Sequence, residues 1–265
     1  MLKDITLGQY YPVDSCIHRL DPRTKIAGTC LFLISLFLTS TAVGYLIATA
    51  FLALCIKASK VPFGYMTRGL RAIIIVLILS VSFNLFLIDG TVLCKIGFLK
   101  ITYEGLRVAV FMAIRLIYLV IGSSLMTLTT TPTQLTDGLE KSLGFLNRCK
   151  VPVHDIAMMM SIALRFIPIL TEETDKIMKA QKARGADFES GNIFKKVNAL
   201  IPILIPLFIS AFRRASDLAM AMESRCYHGG TGRSKMKPLT YSMRDYIAYV
   251  IMLAYIVLMF VSRRF

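Results

Sequence analysis

Residues 26–56 read IAGTCLFLISLFLTSTAVGYLIATAFLALCI, 31 consecutive positions without a charge. One helix of that length would be about 46 Å long, well beyond a hydrocarbon core of roughly 30 Å. Thr39-Ser40-Thr41, followed by Gly44, offers a turn in the middle. The run therefore reads as a helical hairpin, Ile26–Ser40 and Ala42–Ile56, whose short arms call for interfacial ends or a locally thinned bilayer. This choice decides the fold, because a single pass would invert every later segment and export the most basic part of the chain. Asp21-Pro22, just ahead of the run, supplies an N-cap and a first-turn proline.

Working outward, Ala72–Ile88 holds 17 uncharged residues, Val108–Thr130 is interrupted only by Arg115, and Tyr246–Val261 is a last apolar span. Asp89-Gly90 and the stretch from Lys95 to Glu104 read as a polar loop. Five crossings result. The whole composition agrees: of 265 residues, 55% are hydrophobic and 18% charged, and the mean hydropathy is +0.63. Soluble domains carry about 25% charged residues, so an ordinary soluble protein is excluded. The excess of 31 Lys and Arg over 16 Asp and Glu gives +15. In so apolar a chain that excess fits positive membrane loops, not nucleic acid.

Residues 1–25 and 57–71 carry 4 basic residues each, against Lys95, Lys100, Arg263 and Arg264 on the opposite side. The positive-inside rule then puts the N-terminus in the cytoplasm and the C-terminus outside a multi-pass cell-membrane protein. Asp4, Asp14 and Asp21 leave Met1–Lys25 without the apolar region of a signal peptide. Cys16, Cys30, Cys55, Cys94, Cys149 and Cys226 are isolated, which supports neither a disulfide framework nor a zinc site and reads as small buried thiols. The division expected is an N-terminal segment 1–25, a four-helix membrane region 26–130, a polar insertion 131–244 and a final membrane helix 245–265.

The insertion has 17 basic and 10 acidic residues, too charged for lipid. Thr131-Pro132-Thr133-Gln134 is a capping-box pattern opening a short helix to about Leu146. After a break at Asn147–Pro152, a second helix spans about Asp155–Ala183, kinked at Pro168 and stopped by Gly185. A third starts after Asn192 and runs to about Cys226, kinked near Pro202 and Pro206 and ended by Gly229-Gly230. Ile156–Leu170 and Ala199–Phe212 are apolar apart from Arg165, whereas Glu172–Arg184 and Arg213–Arg225 need water or a polar partner. The two helices match at an offset of 41 residues: Arg184 falls on Arg225, and Glu172-Glu173 on Arg213-Arg214. The helices are expected to cross there and pair those charges.

Enzyme signals are scarce. His18, His154 and His228 have no acidic pair at ligand spacing, and Gly229 to Lys235 lacks the order of a phosphate loop. No catalytic residue, metal or cofactor is expected. Arg115 costs about 2.5–3.5 kcal/mol in a membrane span, so it must find a partner. It is either the substrate site of a stand-alone carrier or channel, or a structural arginine that snorkels or pairs with a carbonyl or Glu104. Met158-Met159-Met160 is either core filling or a deformable docking face. Lys182-Ala183-Arg184-Gly185 and Glu223-Ser224-Arg225-Cys226 each set an arginine at a helix C-terminus. One such residue merely complements the helix dipole, worth about 0.3–1 kcal/mol, but two at equivalent ends of two crossing helices point to docking.

The stretch Leu7-Gly8-Gln9-Tyr10 to Ser15, then His18-Arg19-Leu20-Asp21-Pro22-Arg23-Thr24-Lys25, resembles the opening of the transmembrane T component of energy-coupling factor (ECF) transporters. Thr131-Pro132 with Leu135-Thr136, Leu164-Arg165-Phe166-Ile167-Pro168 and Ala180-Gln181-Lys182-Ala183-Arg184-Gly185 follow in order and at that family's spacing. The resemblance implies an all-α integral membrane scaffold: about five transmembrane helices plus a cytoplasmic coupling domain of one short and two long crossing helices. It implies no enzyme activity of its own and a complex with two cytoplasmic ABC ATPases and one substrate-binding S component, which take up vitamins or transition-metal ions. The family's two arginine motifs dock on the two ATPases. They fall on Ala183-Arg184-Gly185 and Ser224-Arg225-Cys226, the second departing from the commoner Ala-Arg-Gly. Met158, Met159, Met160, Ile162, Leu204, Leu207 and Phe208, on the apolar halves, are the expected S-component surface.

Overall fold

The computed structural model describes residues 10–39, 41–88, 90–96, 99–186, 193–227, 229, 236 and 238–263. The helices are α1 (Pro22–Leu38), α2 (Ala42–Ser59), α3 (Phe63–Leu87), α4 (Tyr103–Thr129), α5 (Pro132–Ser142), α6 (Val153–Ala183), α7 (Ile193–Ser224) and α8 (Met243–Ser262). Between α3 and α4 lies one antiparallel hairpin, β1 (Val92–Ile96) with β2 (Leu99–Thr102). Among the described residues the fold is all-α apart from that hairpin. Two compact units form, one of Leu143–Lys237 and one of Gly8–Ser142 with Pro238–Phe265.

In the second unit the uncharged run folds as the hairpin its length required. Asp21 caps α1 by accepting the Arg23 N–H at 2.9 Å. The helix stops at Thr39, and Thr41 caps α2 by accepting the Gly44 N–H at 3.3 Å. Phe32 and Leu36 of α1 are buried against Ala48 and Leu52 of α2, Ile121 and Leu128 of α4, and Tyr255 and Met259 of α8. Close approach of α4 to α1 requires a glycine, because a Cβ at Gly122 would come within 2.8 Å of the Phe32 ring. Many outward apolar side chains are bare, Ile75 being 75% exposed. A surface of that kind belongs in hydrocarbon.

By length and composition α2, α4, α6 and α8 can each cross a membrane, and the two parts of α3, Phe63–Arg71 and Ile73–Phe86, make a fifth, bent span. The total matches about five, but its members differ. The 17 residues of α1 are one short of that measure, and α6 reaches it through its apolar half.

Several boundaries move. The polar loop expected at 95–104 is instead the hairpin β1–β2, registered Lys95 to Lys100 and Ile96 to Leu99; paired strands satisfy backbone groups that a loop at a membrane edge would leave open. The last helix starts at Met243, before the apolar span, because Ser242 and Asp245 form a capping box. Among the described residues the expectation of buried thiols fails, since Cys16, Cys30, Cys149 and Cys226 are exposed and Cys55 is half-buried; the side chain of Cys94 lies outside those described. On the membrane helix α1, exposure of Cys30 is not contact with water, so that thiol loses little by facing outward.

In the first unit a 3₁₀ helix, Leu143–Cys149, takes up the first half of the break expected at Asn147–Pro152. Pro168 lies inside α6, and Pro202 and Pro206 inside α7, without ending either helix. The stop assigned to Gly229-Gly230 comes earlier, at Ser224, because Cys226 takes the left-handed conformation that closes the helix. Most of the glycine-rich run to Lys235 lies outside the described residues.

Candidate functional site

The tips of α6 and α7 close in the same way. At α6 the Gly185 N–H donates to the Lys182 carbonyl and the Ala186 N–H to the Gln181 carbonyl, both at 3.0 Å. At α7 the Cys226 N–H donates to Glu223 O at 2.8 Å and the Tyr227 N–H to Met222 O at 3.0 Å. Each pattern is a Schellman motif, which needs a left-handed residue just past the helix. Gly185 fills that position at φ 89° and Cys226 at φ 57°. Arg184 and Arg225 occupy the equivalent C-cap position, one residue before the left-handed one, and both are exposed. Ala183 and Ser224, the last helical residues, are exposed as well, so each arginine stands on a small-residue platform.

Farther down the helices, Arg214 Nη2 donates to Glu173 Oε2 at 3.0 Å, joining α7 to α6. This is the 41-residue offset again, so both arginine tips lie eleven residues beyond the contact pair, about 16 Å along each helix. Glu172 and Arg213, the other members of the sequence-derived set, are exposed. On the apolar halves Met159, Met160, Leu204 and Phe208 are exposed, while Met158, Ile162 and Leu207 are half-buried. Ile201, Leu204, Ile205, Phe208, Ile209 and Phe212 form one open apolar strip along α7, ending at Arg213 and Asp217. Oily strip, charged contact and arginine tip thus follow one another along a single rod.

The motif residues at the start of the chain do structural work in the membrane unit. His18 Nδ1 meets Ser15 Oγ at 2.7 Å and Nε2 meets the Tyr11 carbonyl at 3.0 Å. A carbonyl can only accept, so Nε2 carries the proton and Nδ1 accepts from the serine. Burial pushes His18 below its usual pKa, opposed by the bond to Tyr11. Lys25 is buried and donates to His18 O at 3.1 Å and to Thr129 O, at the end of α4, at 2.8 Å. The capping box at Thr131 forms as read: Gln134 N–H donates to Thr131 Oγ1 at 3.3 Å, and Thr131 N–H to Gln134 Oε1 at 3.2 Å. It starts α5 against α1, where a Cβ at Gly138 would lie 2.9 Å from Pro22 Cβ.

Arg115 spends its donors on the helical hairpin. Nη2 donates to Thr39 O at 3.1 Å and Nε to the Tyr45 hydroxyl at 3.2 Å. Of the two partners expected for a structural arginine, the carbonyl is taken, while Glu104 instead accepts from Thr91. The residue that sequence reading missed is Asp245. It is 2% exposed, accepts the Asp21 N–H through Oδ1 at 2.8 Å, and accepts the N–H and hydroxyl of Ser242 through Oδ2, each at 2.8 Å. One carboxylate thereby joins the starts of α1 and α8. The spacing Ser242-x-x-Asp245 was the available signal.

Comparison with known proteins adds to this geometry. The family model CbiQ, described as cobalt transport protein, matches residues 14–238. A protein of Ruminiclostridium cellulolyticum named energy-coupling factor transporter transmembrane protein EcfT is 52% identical over 262 residues, 98% of this chain and 98% of its own length. The protein of that name from Clostridium kluyveri is 52% identical over 265 residues, 99% and 98% of the two chains. That from Bacillus subtilis is 42% identical over 264 residues, 99% and 100%.

Proposed function

From the premise that this chain belongs to the CbiQ family, together with the transmembrane proteins of energy-coupling factor transporters, we propose that it is the scaffold that couples two ABC ATPases to one S component for uptake of a vitamin or transition-metal ion. ATP is hydrolysed by the partners. In this reading Ala183-Arg184-Gly185 docks on one ATPase and Ser224-Arg225-Cys226 on the other. Each permanent guanidinium enters a groove of carboxylates and carbonyls. The segment 131–244 acts as the coupling domain, and 1–25, 26–130 and 245–265 are the anchoring parts. The N-terminus and both tips are cytoplasmic and the C-terminus is outside.

The observation that carries the proposal is the pair of arginine-bearing helix ends, closed by the same hydrogen-bond pattern and set equally far from the Glu173–Arg214 contact. If that contact is the pivot, the tips are arms of about 16 Å. The apolar halves back to Ile156 and Ala199 are arms of about 25 and 22 Å, so tip motion arrives enlarged roughly one and a half times. Met158, Met159, Met160, Ile162, Leu204, Leu207 and Phe208 would receive it as the surface that grips and releases the S component. Arg115 donates to the Thr39 carbonyl and the Tyr45 hydroxyl, a structural pairing that supports the scaffold reading over a stand-alone carrier.

The test is co-expression with the ATPases and the S component. Replacing Arg184 or Arg225 by Ala should weaken ATPase docking by about 2–5 kcal/mol per site, and ATP-driven uptake should fall while membrane insertion stays normal. Undiminished co-purification of both ATPases with the double variant would refute the proposal.

A further inference from the structure

A cavity of about 360 Å³ opens inside the membrane unit between α1, α2, α4 and α8. Phe32, Phe51, Leu125 and Ile251 are among its walls, and among the described residues its basic lining is Lys25 and Arg244. Both belong to the first turns of their helices, so the charge sits at one end of an otherwise oily space. The carboxylates of that end, Asp21 and Asp245, are turned into helix caps and do not line it. Lys25 has three N–H donors and gives two to the carbonyls of His18 and Thr129. Arg244 is exposed.

Away from that charged end the cavity walls offer few polar groups to hold water, whereas hydrocarbon fits them at no desolvation cost. A chain with an anion at one end matches both its parts. We propose that this cavity holds one acyl chain of an anionic phospholipid, its phosphate engaged by Arg244 and the third N–H of Lys25. The lipid is then part of the packing that fixes α8 to the α1–α2 hairpin. It is independent of which partners the arginine tips bind.

The full chain, reconstituted in nanodiscs of equal phosphatidylglycerol and phosphatidylcholine and then extracted in mild detergent, is assayed for retained lipid by native mass spectrometry. One phosphatidylglycerol per chain is expected. Arg244→Gln removes one cation near the membrane surface and should cut the preference for phosphatidylglycerol about fivefold. Ala248→Phe fills the cavity from α8 and should abolish retention; Ala58→Leu does so from α2 should the first variant fail to fold. Equal retention of the two lipids by the wild type, no retained lipid, an unchanged preference in Arg244→Gln, or undiminished lipid in a folded cavity-filled variant would each overturn the proposal.

Discussion

Replacing Asp245 by Ala should destabilise the membrane unit more than any other single carboxylate-to-alanine change in it. The carboxylate is 2% exposed and accepts three hydrogen bonds at 2.8 Å. Its loss strands the buried Asp21 N–H, at about 1–3 kcal/mol, and the less buried Ser242 N–H, at about 1 kcal/mol. The freed Ser242 hydroxyl can rotate to a new partner. Two helix starts also lose a nearby negative charge, about 0.3–1 kcal/mol each. The total is about 3–6 kcal/mol, or roughly 6–24 °C in a chain of this size. Asp245→Asn should fall between the two: its oxygen can serve Ser242, but its amide then faces the Asp21 N–H. The assay is thermal unfolding in one detergent at constant pH, followed by loss of monodisperse protein. An alanine variant melting within about 2 °C of the wild type, or an asparagine variant melting below it, would refute the reasoning.

Gly185 at φ 89° and Cys226 at φ 57° hold equivalent positions. Gly185→Ala should cost about 1–2 kcal/mol at the α6 tip and Cys226→Gly should tighten the α7 tip, read as faster and slower amide exchange at Ala186 and Tyr227. Since His18 is held below its usual pKa, its neutral form is favoured by the fold. Its contribution is complete above the unfolded value near 6.5 and fades as pH falls through the lower folded value. Proteolysis of the segment before α1 should therefore speed up below pH 6.5, and a His18→Gln variant should lose that dependence. Arg115→Met should cost about 2–3 kcal/mol by freeing the Thr39 carbonyl and the Tyr45 hydroxyl. It should leave ATPase docking unchanged in a co-purification assay.

The sequence by itself determined whatever depends on neighbours along the chain. An uncharged run of 31 residues is too long for one crossing, so the hairpin followed from length alone. Asp21, Thr131 with Gln134, and Gly185 act within four residues of their partners, which is why those helix ends were legible. The 41-residue offset was legible too, because two helices of similar pattern keep register with themselves. Tertiary structure alone decided where distant residues meet. Asp245 lies 224 residues from Asp21, Lys25 104 from Thr129, and Arg115 76 from Thr39. No periodicity links such pairs; each is chosen because a polar group in a low-dielectric interior must find whichever complementary group packing brings within reach. Cys226 is a separate case: its partners are local, the Glu223 and Met222 carbonyls, but its residue type argues against the left-handed turn that those closing hydrogen bonds impose.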